Sequence, residues 1–371
     1  MIEHFTVSYH LFDYTAYIVA ADCKMNDQAD ASPPDIFSLE ATSFPSIKPD
    51  TLSSGASYVH FSDVPPYLLG DETLSKSETV SSLGPECMLG IDEAGRGPVL
   101  GPMVYGIFYL PLTLSDSLLR KKHQFDDSKV LTPTFRLNLM RQICTPETDL
   151  FRQCGWAVDV ISAQDISSNM FKPTGAYNLN AQAMDATISL IKGVYERGVN
   201  VKEIYIDTIG NPETYQKKLE KIFPTANITV AKKADSLYPC VSAASVCAKV
   251  TRDVALEVLY NNFVMGKAGK NAITNEAEFS WGSGYPSDAK CTSWLKKNIH
   301  PVFGWGNECR FSWGTVKDLL DQKSLAVKVD WPSEPEELDS SRLTDYFNNT
   351  NGKDTDELAT WFGTPVGTEF F

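Results

Sequence analysis

The sequence predicts an α/β domain built on a mixed sheet flanked by helices, with a helical appendage on its C-terminal side. Three observations carry this reading. Strand-like runs at 88–91 and 103–110 follow one another with only a glycine-containing break between them. From residue 131 onward helical and strand patterns interleave, the order from which α/β sheets are built. Beyond 264 the patterns are helical, with no further strand signal.

The elements follow in order. Residues 88–91 form a short apolar strand that breaks at Gly95 and Gly97. Residues 131–144 have helical periodicity; 154–161 read as a strand, followed by Ser162 as the cap of a short helix. Residues 178–197 form a long amphipathic helix ended by Gly198. A buried strand at 203–206 carries the polar Asp207 at its end, 212–223 is helical, and 228–231 is another strand. The helix expected at 241–263 has a small-residue face (Ala243, Ala244, Ser245, Ala248) suited to close packing on a sheet. Two further helices are expected at 287–298 and 313–323, and no repeat of solenoid period is present.

The ends differ from the middle. Residues 25–84 are rich in Ser, Pro, Asp and Thr and bury too little apolar surface to offset their ordering entropy. Residues 1–84 are therefore expected to be a disordered N-terminal extension, with order beginning near Cys87. A catalytic domain over 85–263, a helical region over 264–329 and an acidic, partly disordered tail over 330–371 complete the expected organisation. Met25 is an alternative initiator.

Charge follows the same partition. The 371 residues carry a net −14 with a pI near 4.9, which looks wrong for a nucleic-acid ligand. Residues 1–84 contribute −9 and 330–371 contribute −8, leaving +3 for 85–329. The globular part is mildly basic, so a nucleic-acid role is permitted and not established. Eight cysteines without a CxxC pair fit reduced thiols in a cytosolic or nuclear compartment, and no spacing suggests a zinc site. No apolar run reaches the roughly 18 residues of a membrane span, so no membrane partner is expected. The first 21 residues contain Glu3, His4, His10 and Asp13 and lack a basic start, unlike a secretory signal.

Several acids sit at strand ends. Asp92 and Glu93 end the first strand, where adjacent side chains point to opposite faces; both serve one site only if the strand stops between them. Asp207 ends the strand EIYI, and Asp235 follows ITVA and Lys232-Lys233-Ala234. Ligand sites of open α/β sheets lie outside the carboxyl ends of strands, so three such tips can converge. Four carboxylates together repel unless cations neutralise them, and two Mg²⁺ ions about 4 Å apart would do so. Each acid taken alone is better read as a turn residue or helix cap. Gly95, Arg96 and Gly97 allow close backbone approach and an arginine fork to a phosphate. Tyr285, in GSGYPSD, is either a turn aromatic packed on the core or a ring that stacks on a sugar beside a 2′-OH.

Residues 87–329 resemble the type 2 ribonucleases H, and the catalytic (A) subunits of the eukaryotic ones in particular. The motifs that carry this are GIDEAGRGPVLGPMVYG at 90–106, DDSKVL at 126–131, YNLNAQAMDA at 177–186, IDTIGNPETY at 206–215, KKADSLYPCVSAASVCAKVTRD at 232–253 and GSGYPSD at 282–288. The resemblance implies a ribonuclease H-like fold and a metal-binding catalytic set of Asp92, Glu93, Asp207 and Asp235. It implies that Gly95, Arg96 and Gly97 read the ribonucleotide 2′-OH and phosphate, that Tyr285 packs on the following deoxyribose, and that Lys129 lies near the site. It further implies two divalent ions, Mg²⁺ or Mn²⁺, and hydrolysis 5′ of the ribonucleotide to leave a 3′-hydroxyl and a 5′-phosphate. The substrates implied are RNA–DNA hybrids and DNA containing single ribonucleotides, met in the nucleus during replication and ribonucleotide excision repair. Two non-catalytic subunits in a heterotrimer are the implied partners, docked on the helices beyond 287 and the C-terminal segment. Residues 340–347 loosely resemble a sliding-clamp motif without its leading glutamine, and a helix docking on a partner protein of the heterotrimer fits them better. A nuclease restricted to long hybrids and a non-catalytic nucleic-acid-binding scaffold are the competing readings; a scaffold is disfavoured by the presence of all four acids.

Overall fold

The computed structural model describes residues 44–70, 84–125, 131–172, 177–208, 210–268, 281–322 and 325–327. Lys129, the N-terminal 43 residues and the segment 340–347 lie outside the described residues. The sheet has six strands: β1 (Tyr58–Phe61), β2 (Cys87–Ala94), β3 (Met103–Pro111), β4 (Gly155–Ile161), β5 (Val201–Asp207) and β6 (Asn227–Ala231). Their spatial order is β1-β4-β3-β2-β5-β6. The β1–β4, β4–β3 and β3–β2 pairs are antiparallel, and β2–β5 and β5–β6 are parallel, so the sheet is mixed as predicted.

Ten α-helices cover the sheet and its C-terminal side among the described residues. They are α1 (Pro49–Ser54), α2 (Pro133–Cys144), α3 (Asp149–Gln153), α4 (Ala163–Met170), α5 (Leu179–Glu196), α6 (Pro212–Ile222), α7 (Ala234–Leu237), α8 (Pro239–Ala268), α9 (Ala289–Asn298) and α10 (Gly314–Leu320). Local chemistry starts several of them. Ser162 caps α4, Asn178 caps α5 and Asn211 caps α6 ahead of Pro212, each side chain accepting N–H groups that the first turn leaves without intrahelical partners.

One face of the sheet packs on α8, α1 and α2, the other on α5 and α6. The small-residue face of α8 does what its composition predicts. A Cβ on Gly90 of β2 would stand 2.3 Å from the Cys240 carbonyl carbon, and one on Gly106 of β3 would stand 2.5 Å from Ala244 O. Two glycines on the sheet and alanines on the helix thus bring the two backbones close enough for α8 to reach the ends of β2 and β5. A third cluster joins α9 and α10 to Val99, Leu100 and Leu256, so the C-terminal helices share a core with the loop after β2. Helix α8 itself runs to Ala268, across the 263/264 boundary placed from sequence.

The expectation that order begins near Cys87 is corrected for residues 44–70. Phe44, Ile47, Leu52 and Tyr58 are all buried against the α8 face, and β1 pairs with β4 at four positions as an edge strand of the sheet. Polar groups of the segment also find partners: the Tyr58 hydroxyl donates to Ser46 O at 2.9 Å, and the Ser46 and Thr251 hydroxyls bond at 3.0 Å. Few apolar residues are present, but the waiting edge of β4 and the flank of α8 make each of them count. Average composition does not register this.

Candidate functional site

Strand register builds the site. Ile91 of β2 lies opposite Ile206 of β5, so Asp92 and Asp207, one residue on, stand side by side at the carboxyl ends of neighbouring parallel strands. Both share the sheet face packed by α8, with Met88, Gly90 and Tyr205 on the same alternation. Asp207 lies opposite Ala231, the last residue of β6. The chain then turns at Lys233, a non-glycine residue in the left-handed region (φ 57°), and places Asp235 in the short helix α7. That turn is tied to the neighbouring acid, because Ala234 N–H donates to Asp207 Oδ1 at 2.8 Å.

Glu93 requires a correction. The strand does not stop between Asp92 and Glu93: β2 continues to Ala94, with Glu93 paired to Tyr105 and Ala94 to Val104. Glu93 therefore leaves the sheet on the face opposite Asp92. Both still reach one groove, because pairing of β2 with β5 ends at Ile91 and the strand end stands open on that side.

That groove, about 820 Å³, is lined by Asp92, Glu93, Asp207 and Asp235, by Gly95, Arg96 and Gly97, and by Tyr285. Every described member of the site foreseen from sequence is in it. Asp92 and Asp235 are each only 5% exposed, while Glu93 and Asp207 are half-buried, so the wall is part enclosed and part open to the groove. Tyr285 is 40% exposed, its guanidinium neighbour Arg252 5.9 Å from the ring centre, and a Cβ on Gly97 would lie 3.1 Å from Tyr285 Cε1. The ring and the Gly-Arg-Gly turn are thus adjacent faces of one site. Gly95 has φ +75°, and a Cβ there would meet Pro102 O at 2.6 Å, so this position needs glycine on both counts.

Burial first, and neighbouring negative charge second, raises the proton affinity of three of the acids. Burial pushes the Asp92 carboxyl up to about 7; the nearby Ser245 hydroxyl opposes this and the charge of Asp207 adds to it. Glu93 is pushed up to about 8, by burial first and then by Asp92 and Asp207, with Arg96 and Lys249 acting against it. Asp207 is raised by burial, an effect the Ala234 N–H opposes and the Asp235 charge reinforces. Three carboxylates that resist ionising beside one another, Asp92, Glu93 and Asp207, make a site a divalent cation would stabilise. Among the described residues no group of three or more His, Cys, Asp or Glu side chains is placed to hold a metal ion by itself. A hard divalent cation that keeps several waters and completes its shell with substrate phosphate oxygens needs fewer protein ligands than that.

Several groups in or behind the groove escaped the sequence reading. Ser245, Lys249, Arg252 and Asp253 follow helical spacing along α8, a polar stripe on an otherwise apolar helix that was legible in principle. Arg310 and Trp313 gave no such signal. Arg136 also lines the groove.

A nuclease-type groove at strand ends of a mixed sheet is the class this geometry defines, and comparison with known proteins gives the family. Residues 89–316 match the family model described as Ribonuclease HII, and the chain belongs to that family, the type 2 ribonucleases H. It is 60% identical over 332 residues to the A subunit of Ribonuclease H2 from Neurospora crassa, covering 88% of this chain and 96% of that protein. To the human A subunit of Ribonuclease H2 it is 42% identical over 265 residues, 71% of this chain and 82% of that one. Among solved structures, the RNase HII of Archaeoglobus fulgidus, in its complex with PCNA, is similar with 27% identity and a TM-score of 0.50, over 64% of this chain and 98% of that one.

Proposed function

We propose that the chain is the catalytic subunit of an endoribonuclease that cuts the RNA strand of RNA–DNA hybrids and single ribonucleotides embedded in duplex DNA. Cleavage falls 5′ of the ribonucleotide and leaves a 3′-hydroxyl and a 5′-phosphate. One observation carries the reading: four carboxylates, a glycine-flanked arginine and a half-exposed tyrosine line one groove. On this reading Asp92, Glu93, Asp207 and Asp235 would hold two divalent ions, Mg²⁺ or Mn²⁺, which when bound would supply an activated water and charge stabilisation at the leaving oxygen.

The remaining work falls to the chain's own groups. Asp92 is oriented by its bond to the Glu93 N–H at 2.8 Å, and Asp207 by the Ala234 N–H at 2.8 Å. Arg96 supplies a guanidinium beside Glu93 at the groove wall, where it would fork onto a substrate phosphate. The Gly-Arg-Gly backbone presents small, close-approach donors to a 2′-hydroxyl. The Tyr285 ring, set against Gly97, offers a flat face to the sugar of the next nucleotide, where a deoxyribose packs without a hydroxyl to bury.

Removal of ribonucleotides from nuclear DNA during replication and repair is the role we propose. The Neurospora and human relatives are each named as one lettered subunit of Ribonuclease H2, which supports assembly with other subunits; two non-catalytic ones in a heterotrimer are the partners we propose. The deciding comparison is cleavage of a duplex with one embedded ribonucleotide against a fully hybrid duplex. Both should be cut, and Tyr285→Ala should lower kcat/KM on the single-ribonucleotide duplex by about 10-fold to 100-fold, the worth of one base- or sugar-stacking aromatic, and less on the hybrid. An equal loss on both substrates would remove Tyr285 from junction reading.

A further inference from the structure

Arg310 is a buried cation with no ion pair among the described residues, and its side chain is 0% exposed. Such a charge is costly to bury and stays only where its donors are matched. Its Nε donates to Gly101 O at 2.9 Å, Nη1 to Arg96 O at 3.0 Å and Nη2 to Gly95 O at 2.6 Å. The Trp313 indole N–H donates to Gly97 O at 3.0 Å, with the Arg310 guanidinium 4.8 Å from that ring. All three carbonyls of Gly95-Arg96-Gly97 are therefore held by one short segment more than 200 residues away in the chain. The same segment is fastened by main-chain bonds, Arg310 N–H to Val99 O at 2.9 Å and Gly101 N–H to Glu308 O at 2.7 Å. On its other side the loop takes Gly284 O through Val99 N–H at 2.8 Å, one residue before Tyr285.

Peptide planarity gives this clamp a direction. In a trans peptide the carbonyl of one residue and the N–H of the next point opposite ways, and the described residues contain no cis peptide. Pinning Gly95 O turns the Arg96 N–H the other way, and pinning Arg96 O does the same for the Gly97 N–H. Pinning Gly97 O aims no amide, because residue 98 is proline.

We propose that Arg310 is a positioning residue that fixes the Arg96 and Gly97 amides toward the groove and thereby sets the preference for a ribonucleotide at the cut site. The inference rests on the reading of the groove given under Proposed function. Lysine keeps the charge but has one nitrogen in place of a rigid fork, and it cannot span three carbonyls.

The test uses the full chain, assembled with its partner proteins, in three variants: Arg310→Lys, Trp313→Phe, and Leu319→Ala as a control that loosens the same C-terminal core without touching the loop. Two quantities are read. One is kcat/KM on a single-ribonucleotide duplex. The other is the affinity ratio, in chelator where nothing is cut, of that duplex over an all-DNA duplex. Arg310→Lys should lower kcat/KM by about 100-fold, the scale of a misplaced site, mainly through KM, and bring the affinity ratio toward one. Leu319→Ala should lose thermal stability while keeping both. If Arg310→Lys does not fold, Trp313→Phe carries the test, with a loss of about 3-fold to 10-fold in the same direction, the worth of one hydrogen bond. Wild-type ratio and KM in Arg310→Lys, or in Trp313→Phe as its substitute, overturn the proposal. A wild-type ratio already equal to one would instead sink the groove reading. In that case a crystal structure of the folded variant decides on its own: a displaced 95–97 loop supports the clamp and an unmoved one refutes it.

Discussion

Replacing Asp207 by asparagine should abolish cleavage, with a loss of at least about 1,000-fold in kcat, while leaving the protein folded. The magnitude follows from metal-assisted hydrolysis, where ion-borne charge stabilisation is worth several kcal/mol and each 1.36 kcal/mol is about a factor of ten. Asparagine keeps the oxygen that accepts the Ala234 N–H, so the local bond that ties β5 to α7 survives. The same holds for Asp92→Asn, whose oxygen can still take the Glu93 N–H. Stability should not fall with activity, because each change removes a charge from a buried cluster in which like charges repel. The measurement pairs steady-state nicking with thermal unfolding in chelator. Full activity in either variant contradicts the site assignment, and loss of folding contradicts the electrostatic account.

The metal-free protein should gain stability as pH falls from 8 to 6. Asp92 and Glu93 are held near 7 and 8, well above the ordinary carboxylate range. Between the unfolded carboxyl pKa of about 4 and these values the folded state binds more protons than the unfolded one, so unfolding free energy falls as pH rises. Below about 4 the stabilisation is complete, and above about 8 it is lost. For the coupled pair this is on the order of a few kcal/mol, or several degrees in Tm for a domain of this size. A divalent cation that binds the folded state alone should raise Tm, more at pH 8 than at pH 6, since it competes with those protons. Asp92→Asn should flatten both trends. A Tm in chelator that rises from pH 6 to pH 8, or Mn²⁺ without effect at pH 8, would show that the carboxylates are not the repelling cluster described.

Much of this site was legible in the chain because its chemistry is concentrated at element boundaries. Asp92-Glu93 before a glycine break, Asp207 at the end of an apolar strand and Asp235 just before α8 each stand where a polar residue has no core to fill. The close seat of α8 was legible for a different reason: its run of small residues meets glycines on β2 and β3. Three features were hidden. Residues 44–70 carry few apolar groups and gain order only from the edge of β4, a partner nearly 100 residues further on. Glu93 reaches the groove from the far face of an unbroken strand because β5 stops short beside it, which depends on sheet register. Nothing in the sequence marks Arg310, and only the folded chain shows its guanidinium held by the carbonyls of Gly95, Arg96 and Gly101.

The most direct measurement maps the cut on an end-labelled DNA duplex carrying a single ribonucleotide, with Mg²⁺ or Mn²⁺ present and again in excess chelator. Hydrolysis by a water held at the carboxylate wall should place the break 5′ of the ribonucleotide, leave a 3′-hydroxyl that a polymerase extends and a 5′-phosphate, and stop entirely in chelator. A break 3′ of the ribonucleotide ending in a 2′,3′-cyclic phosphate, or one that persists without divalent ions, would mean that the 2′-hydroxyl is the nucleophile and that Asp92, Glu93, Asp207 and Asp235 do not do the chemistry assigned to them.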